Sequence, residues 1–201
     1  MAEKDQTERL KAGNARFRDL VANAHDPAET RASLAAANPY AIVLGCSDSR
    51  VPPEIVFHEW IGRLFVIRVV ANVAGTDETG AIEYALARWD CQLVVVLGHT
   101  QCAGIAAAME RPPAGYEPLP DSADSTNLLS LISSIRSNLG WTRDLSSADS
   151  WADAVRLNVG CTIEKLLSWS TPIRGRVDAG RLKVVGAVYH VETGAVEFLE
   201  D

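Results

Sequence analysis

Two apolar runs decide the fold of this chain: Tyr40-Ala41-Ile42-Val43-Leu44 and Leu93-Val94-Val95-Val96-Leu97. Each run is continuous, is rich in branched residues and is closed by a glycine. That pattern is typical of strands that are buried on both faces of a parallel sheet. We therefore predict two core strands, with their carboxyl ends at residues 45 and 98.

Segments with helical and strand patterns alternate around these runs. A crossover starts at residues 51–54, a second strand covers 64–70, and a helix over 79–88 leads to the third strand. This order predicts a parallel sheet with right-handed crossovers. Further predictions are helices over 103–109, 127–138 and 150–169, a loop over 111–120, and a closing strand pair over 182–190 and 195–199. The fold class is α/β, a central mostly parallel sheet flanked by helices, with a C-terminal strand pair.

Residues 7–22 predict an amphipathic helix, with apolar side chains at roughly helical spacing. Those side chains are Leu10, Ala15, Phe17, Leu20 and Val21. Such a face needs a covering surface, and we expect this N-terminal helix to pack on a partner subunit. The length of 201 residues suits one domain over 1–201, with residues 1–35 as a helical arm.

Composition narrows the classes of partner. The chain carries 19 basic and 26 acidic residues, a net charge of -7, where a nucleic-acid-binding domain would show a basic stripe. The first ten residues are charged and contain no apolar signal segment, and no stretch reaches the roughly 18 apolar residues of a membrane span. We expect no nucleic acid, no membrane and a cytoplasmic location.

A polar string follows each of the two core runs directly. The first is Cys46-Ser47-Asp48-Ser49-Arg50 and the second is His99-Thr100-Gln101-Cys102. Carboxyl ends of parallel strands share one edge of the sheet, so the two strings can meet there. Two thiolates and an imidazole suit zinc, and three protein ligands leave the fourth position open, as in catalytic sites. We predict Zn²⁺ at Cys46, His99 and Cys102, and a disulfide or redox cysteine pair is the alternative.

The remaining cysteines, Cys91 and Cys161, are expected to be small buried hydrophobic residues.

Asp48 and Arg50 add chemistry to the predicted metal site. Two thiolates cancel the charge of zinc, so a nearby carboxylate would help to activate water. Arg50 lies two residues from Asp48 on the same side of an extended segment, and pairing would keep the pKa of the carboxyl low. Released from the pair, Asp48 could bind zinc and close the site. The alternative is a structural ion pair that only shapes the turn.

Taken together, these motifs resemble those of the β-class carbonic anhydrases, and the resemblance extends over most of the chain. The two polar strings that contain the predicted metal ligands are the most specific part of this resemblance. Supporting segments are Leu10-Lys11-Ala12-Gly13-Asn14-Ala15-Arg16-Phe17, Val51-Pro52-Pro53-Glu54, Ala71-Asn72-Val73-Ala74-Gly75, Gly80-Ala81-Ile82-Glu83-Tyr84-Ala85 and Gly186-Ala187-Val188-Tyr189.

The resemblance implies a carbonate dehydratase, a zinc lyase that reversibly hydrates carbon dioxide to bicarbonate and a proton. In that family a zinc-bound hydroxide attacks the carbon, and here Asp48 and Arg50 would form the catalytic dyad. The resemblance also implies a homodimer or a dimer of dimers with active sites at the subunit interface. By position, Phe65, Val70, Tyr84 and Gly104 would line the substrate pocket. For the two aromatic residues, ordinary core packing is the alternative.

Four positions depart from patterns found in many family members. Ala37 replaces a glutamine that reaches toward substrate, and Ala103 replaces a glycine beside the second cysteine. Arg88 stands where plant-like members have a histidine suggested as a proton shuttle, and Val43 replaces a tryptophan found in bicarbonate-regulated members. We therefore predict proton transfer to buffer and no bicarbonate regulation. Two alternative functions stay open: hydrolysis of carbonyl sulfide or carbon disulfide, and a zinc-binding scaffold or sensor with little turnover.

Overall fold

The structure is a computed structural model that describes residues 16, 19, 37–109, 115, 119, 125–140 and 148–199, with side chains from 151 onward in the last stretch. The chain divides into two compact units, Met1–Asn38 and Pro39–Asp201. Most of the predicted arm over 1–35 lies outside the described residues, although Arg16 and Asp19 are described as helical. The single-domain organisation and the packing of the arm on a partner therefore stay predictions. The predicted loop over 111–120 also lies largely outside the described residues.

The second unit is built on a five-stranded sheet of order β2-β1-β3-β4-β5. Strands β1 to β4 are mutually parallel, and β5 pairs antiparallel with β4. The strands are β1 Ala41–Cys46, β2 Leu64–Val69, β3 Leu93–His99, β4 Lys183–Tyr189 and β5 Val196–Phe198. The predicted parallel sheet and the closing strand pair are both confirmed.

Helices connect and flank the strands, as the alternating pattern predicts. In chain order they are α1 Pro53–Val56, α2 Thr76–Arg88, α3 Ala103–Ala108, α4 Thr126–Leu139, α5 Ala148–Trp169 and α6 Thr171–Asp178. Helix α6 was not predicted, although its start carries a recognisable signal. Ser170 caps it by accepting a hydrogen bond from the Ile173 N–H at 3.1 Å, and a proline occupies the first turn. Among the described residues, no helix is long and apolar enough to cross a bilayer.

Successive side chains of β1 enter the apolar layers on opposite faces of the sheet. Ile42 and Leu44, both 0% exposed, pack with α2 and α5, whereas Val43 packs with Val51 on the other face. Burying each Ile or Leu side chain is worth about 1.5–3 kcal/mol, so this interior strand is anchored from both sides. This double burial is why the strand shows a continuous apolar run rather than an alternating one.

Helix α5 packs directly against β3 and β4 where glycines face it. A Cβ added at Gly98 would lie 2.8 Å from Val159 Cγ2, and one added at Gly186 would lie 2.7 Å from Val159 Cγ1. The close approach brings the middle of α5 beside the carboxyl ends of the strands. There Gly45 pairs with Leu97, so Cys46 and His99 end neighbouring strands at the same edge.

Candidate metal centre

Three predicted ligands meet at the carboxyl edge of the sheet. Cys46 is the last residue of β1, His99 is the last residue of β3, and Cys102 precedes the first turn of α3. Their candidate ligand atoms all lie within 4.8 Å of one another, and the two Sγ atoms are 3.9 Å apart. All three side chains are buried. The strand-end argument from the sequence therefore placed these residues correctly.

The imidazole of His99 is oriented for metal binding. Its Nδ1 lies 2.9 Å from the Thr100 carbonyl oxygen, which can only accept, so the proton is assigned to Nδ1. The lone pair of Nε2 is then free, and this buried atom has no hydrogen-bond partner among the described residues. A polar atom buried without a partner is costly, and a metal ion would satisfy it.

The two thiols differ in acidity. A hydrogen bond from Cys102, helped by the Asp48 N–H, lowers the pKa of Cys46 below its usual range despite burial. The same bond to Cys46, together with burial, raises the pKa of Cys102. Cys46 is thus the thiolate of the pair, and a dication would stabilise negative charge on both sulfurs. Two sulfurs and one nitrogen are a donor set that fits zinc.

Asp48 is held in a tight pair with Arg50 next to these ligands. Arg50 Nε donates to Asp48 Oδ1 at 3.0 Å and Nη2 donates to Oδ2 at 2.7 Å, while the Arg50 backbone N–H donates to Oδ1 at 2.9 Å. These hydrogen bonds lower the pKa of Asp48 to about 2. Asp48 Oδ2 lies 4.0 Å from His99 Nε2, so the carboxylate borders the site while its oxygens are occupied by Arg50.

An arginine that the sequence analysis did not single out braces this loop. Arg68 Nε donates to the Cys46 carbonyl oxygen at 2.9 Å, and its Nη2 donates to the Asp48 carbonyl oxygen. Arg50 Nη2 in turn donates to the Gln101 carbonyl oxygen at 3.2 Å, which ties the two polar strings together. A charged residue inside the apolar run of β2 is the signal that could have identified Arg68.

The closing strand pair holds the second polar string. Glu192, in the turn between β4 and β5, accepts hydrogen bonds from Thr100 Oγ1 at 2.8 Å and from Gln101 Nε2 at 2.6 Å. Gln101 has a left-handed φ of 56°, a conformation uncommon outside glycine that needs such support. The turn lets His99 and Cys102 face the same point. No sequence pattern indicated this role for Glu192.

Two of the predicted pocket residues lie beside the ligands. Val70 packs against the apolar cluster that contains Cys46 and Cys102, and a Cβ added at Gly104 would lie 2.5 Å from Val70 Cγ1. Their position is consistent with a pocket wall, and lining a substrate pocket stays a prediction for both.

The two predicted aromatic residues lie in a separate cluster of the structure. Phe65 and Tyr84, with ring centroids 6.4 Å apart, form an aromatic cluster with Trp89. Phe65 precedes Val69, the strand partner of Cys46, by four residues, which is about 13 Å along a strand. Tyr84 is 59% exposed, and lining a substrate pocket stays a prediction for both aromatic residues.

Comparison with known proteins identifies the family. A carbonic anhydrase family model matches residues 41–196. The Coccomyxa β-carbonic anhydrase, solved with acetazolamide, superposes with a TM-score of 0.75 at 25% identity, over 95% of this chain and 85% of that one. The chain belongs to the β-class carbonic anhydrase family.

Other members of the β class show the same likeness. The carbonic anhydrase of Mycolicibacterium smegmatis is 35% identical over 194 residues, which cover 94% of this chain and 89% of that protein. Carbonic anhydrase 2 of Mycobacterium tuberculosis is 33% identical over 189 residues, covering 92% and 87%. A structure described as one of two tetrameric β-carbonic anhydrases from Sordaria macrospora matches with a TM-score of 0.74 at 25% identity, over 99% and 98% of the two chains. As a β-class member the chain is a carbonate dehydratase, and zinc is the metal of its class.

Proposed function

We propose that this chain hydrates carbon dioxide reversibly to bicarbonate and a proton at a zinc ion held by Cys46, His99 and Cys102. The observation that carries the proposal is the gathering of these three buried donors within 4.8 Å of one another. When bound, zinc would supply Lewis-acid activation of water. The remaining chemistry is that of the chain's own residues.

Asp48 is suited to orient water rather than to store a proton. With a pKa of about 2, its carboxylate stays ionised at neutral pH, so it accepts hydrogen bonds and does not hold the transferred proton. Arg50 fixes the carboxylate through two side-chain hydrogen bonds. A carboxylate fixed beside the ligands selects the direction in which a reacting O–H group points. The proton then leaves to solvent or buffer.

The experiment is stopped-flow hydration of carbon dioxide by purified protein with quantified zinc. Replacing Asp48 with Ala should leave zinc bound and reduce turnover about 100-fold, because a reacting group misplaced by about 1 Å can cost that much. The matched control is Asp178→Ala, which removes an exposed carboxylate paired with Arg174 far from the ligands and should leave turnover unchanged.

Full activity of zinc-loaded Asp48→Ala would refute the role given to the carboxylate. Negligible carbon dioxide turnover by the zinc-loaded wild type would refute the main proposal. Carbonyl sulfide turnover in that sample would then support a hydrolase of carbonyl sulfide or carbon disulfide. Absence of carbonyl sulfide turnover would support a zinc-binding scaffold or sensor.

We also propose a homodimer or a dimer of dimers, supported by the tetrameric relatives from Sordaria macrospora. Analytical ultracentrifugation at micromolar concentration should give a mass of two or four chains. A mass of one chain with full activity would contradict this assembly.

A further inference from the structure

Two buried residues at the edge of the metal site have a left-handed backbone conformation, which asparagine tolerates but alanine rarely adopts. Ala71 has a φ of 57° and a ψ of 28°, and the neighbouring Asn72 has a φ of 44°. Both residues are buried, at 0% and 2% exposure, so they do not belong to a solvent-exposed turn. A strained backbone persists only where its surroundings hold it, and such positions cluster at functional sites.

The strained conformation directs the Ala71 N–H at a metal ligand. Its nitrogen lies 3.4 Å from Cys46 Sγ, the same distance at which the Asp48 N–H donates to that sulfur. Two backbone donors therefore converge on one thiolate. Hydrogen bonds to a ligand sulfur withdraw electron density from it and tune the metal that it binds.

The carbonyl group of Ala71 is held by a side chain of helix α5. Asn158 Nδ2 donates to the Ala71 carbonyl oxygen at 2.7 Å, although the two residues are 87 positions apart. Asn158 is 1% exposed, and its Oδ1 accepts a hydrogen bond from Asn138 Nδ2 at 2.9 Å. Asn138 also donates to Thr162 Oγ1 at 3.2 Å. The amide of Asn158 is thus fixed in orientation by a buried network that spans α4 and α5.

Gly104 closes the remaining side of Ala71. A Cβ at residue 104 would lie 3.3 Å from Ala71 Cβ and 3.5 Å from Ala71 N, in addition to its clash with Val70. Ala71 is therefore enclosed by α3 and tethered through its carbonyl group by α5. In this arrangement the N–H of Ala71 faces the sulfur of Cys46.

We propose that Asn158 is a positioning residue for the metal centre, which holds Ala71 in its left-handed conformation so that the Ala71 N–H donates to the Cys46 thiolate. The inference rests on the assignment of Cys46 as a zinc ligand. Asn158 would change the donor strength of the Cys46 sulfur without touching the metal itself. Sequence patterns place Asn158 on a helix far along the chain, so this link exists only in the folded protein.

The test uses cobalt(II) in place of zinc, because its charge-transfer absorption reports directly on the ligand sulfurs. Replacing Asn158 with Ala should shift the thiolate-to-cobalt band to longer wavelength, since a sulfur without its hydrogen bond is more easily oxidised. Zinc affinity, measured by competition with a chromophoric chelator, should fall about 10-fold, because a Cys46 sulfur that is no longer held in position costs more affinity than its greater donor strength returns. Asn158→Ser, whose shorter side chain keeps a polar group in the cluster, should show the same shift if the alanine variant folds poorly.

A matched control and a rescue separate positioning from packing. Thr162→Val perturbs the same buried network three hydrogen bonds away from Ala71, and should lower stability while leaving the cobalt band in place. Adding Ala71→Gly to Asn158→Ala should restore at least half of the band shift, because glycine adopts the left-handed conformation without support.

The outcomes distinguish this inference from the assignment of the metal. A wild-type protein that shows no thiolate-to-cobalt band would overturn the ligand assignment and the inference together. A normal wild-type band that does not move in Asn158→Ala or Asn158→Ser would overturn the inference alone. A shift of equal size in Thr162→Val, or no recovery on adding Ala71→Gly, would assign Asn158 to general packing and also overturn it.

Discussion

Asp48 owes its lowered pKa mainly to one neighbour, Arg50. The pair with Arg50 was predicted from their separation of two residues in an extended segment, which places both side chains on one side. The structure adds that the Arg50 backbone N–H also donates to Asp48 Oδ1 at 2.9 Å, and that the Gln101 carbonyl oxygen holds the guanidinium. The first of these contacts is local. The second needs the other polar string, so no local pattern could reveal it.

Replacing Arg50 with Gln should reduce turnover by about 10-fold while zinc remains bound, because Asp48 loses its orienting partner. The control is Arg174→Gln, which disrupts the exposed pair with Asp178 and should not change turnover. Measured zinc content together with stopped-flow rates decides the outcome. Wild-type rates in Arg50→Gln would mean that the ion pair only shapes the turn.

The same substitution should change how stability depends on pH. The lowered pKa of Asp48, about 2, means that the pair stabilises the folded state above the unfolded pKa of about 3.9. That contribution is lost as pH falls toward 2. The difference in unfolding free energy between wild type and Arg50→Gln should therefore shrink between about pH 4 and pH 2, as measured by urea denaturation. A difference that stays constant over this range would contradict the assignment.

At the scale of elements, the packing of α5 on β3 and β4 decides where the site forms. Gly98 and Gly186 remove the side chains that would otherwise hold the helix away from the sheet. The sequence predicted a helix over 150–169 and showed its apolar side, but hydrophobic periodicity does not report how close a helix lies to a sheet. The missed helix α6 shows a different limit, because its eight residues are too few for a clear periodic pattern.

Gly186→Ala should destabilise the protein by about 1–3 kcal/mol, the usual cost of overpacking. The added Cβ would lie 2.7 Å from Val159 Cγ1, 3.3 Å from Leu199 Cδ1 and 3.4 Å from Ile163 Cδ1. The control is Gly160→Ala in α5, where nothing lies within 4 Å of the added carbon. That change should be neutral or should stabilise the helix by up to about 1 kcal/mol. Urea denaturation of both variants tests the prediction, and equal stabilities would contradict it.

At the scale of the whole molecule, the metal connects segments that are far apart in the sequence. Cys46 ends β1, while His99 and Cys102 flank the loop after β3, and that loop is held in turn by Glu192 between β4 and β5. A metal that binds only the folded arrangement must stabilise it. The metal centre is therefore a part of the fold as well as the site of chemistry.

Removing zinc with a chelator should lower the melting temperature by roughly 10 °C. Zinc present at about 1,000 times its Kd contributes about 4 kcal/mol, and each kcal/mol moves the melting temperature of a chain of this size by about 2–4 °C. Differential scanning calorimetry measures the effect, and readdition of zinc should reverse it. Cys46→Ser serves as the control, because a variant that binds zinc weakly should respond little to the chelator. An unchanged melting temperature in the wild type would contradict the structural role of the metal.

The sequence by itself determined the parallel sheet, the three metal ligands and the Asp48–Arg50 pair. It could do so because buried strands have continuous apolar runs and because parallel strands end at one edge. Its expectations of a cytoplasmic location, and of the effects of Ala37 and Ala103, stay predictions. Only the tertiary structure decided which groups support the ligands, namely Arg68, Glu192 and Asn158. Those contacts join residues 22 to 91 positions apart, and such pairings are fixed by how helices and turns pack rather than by any local pattern of residues.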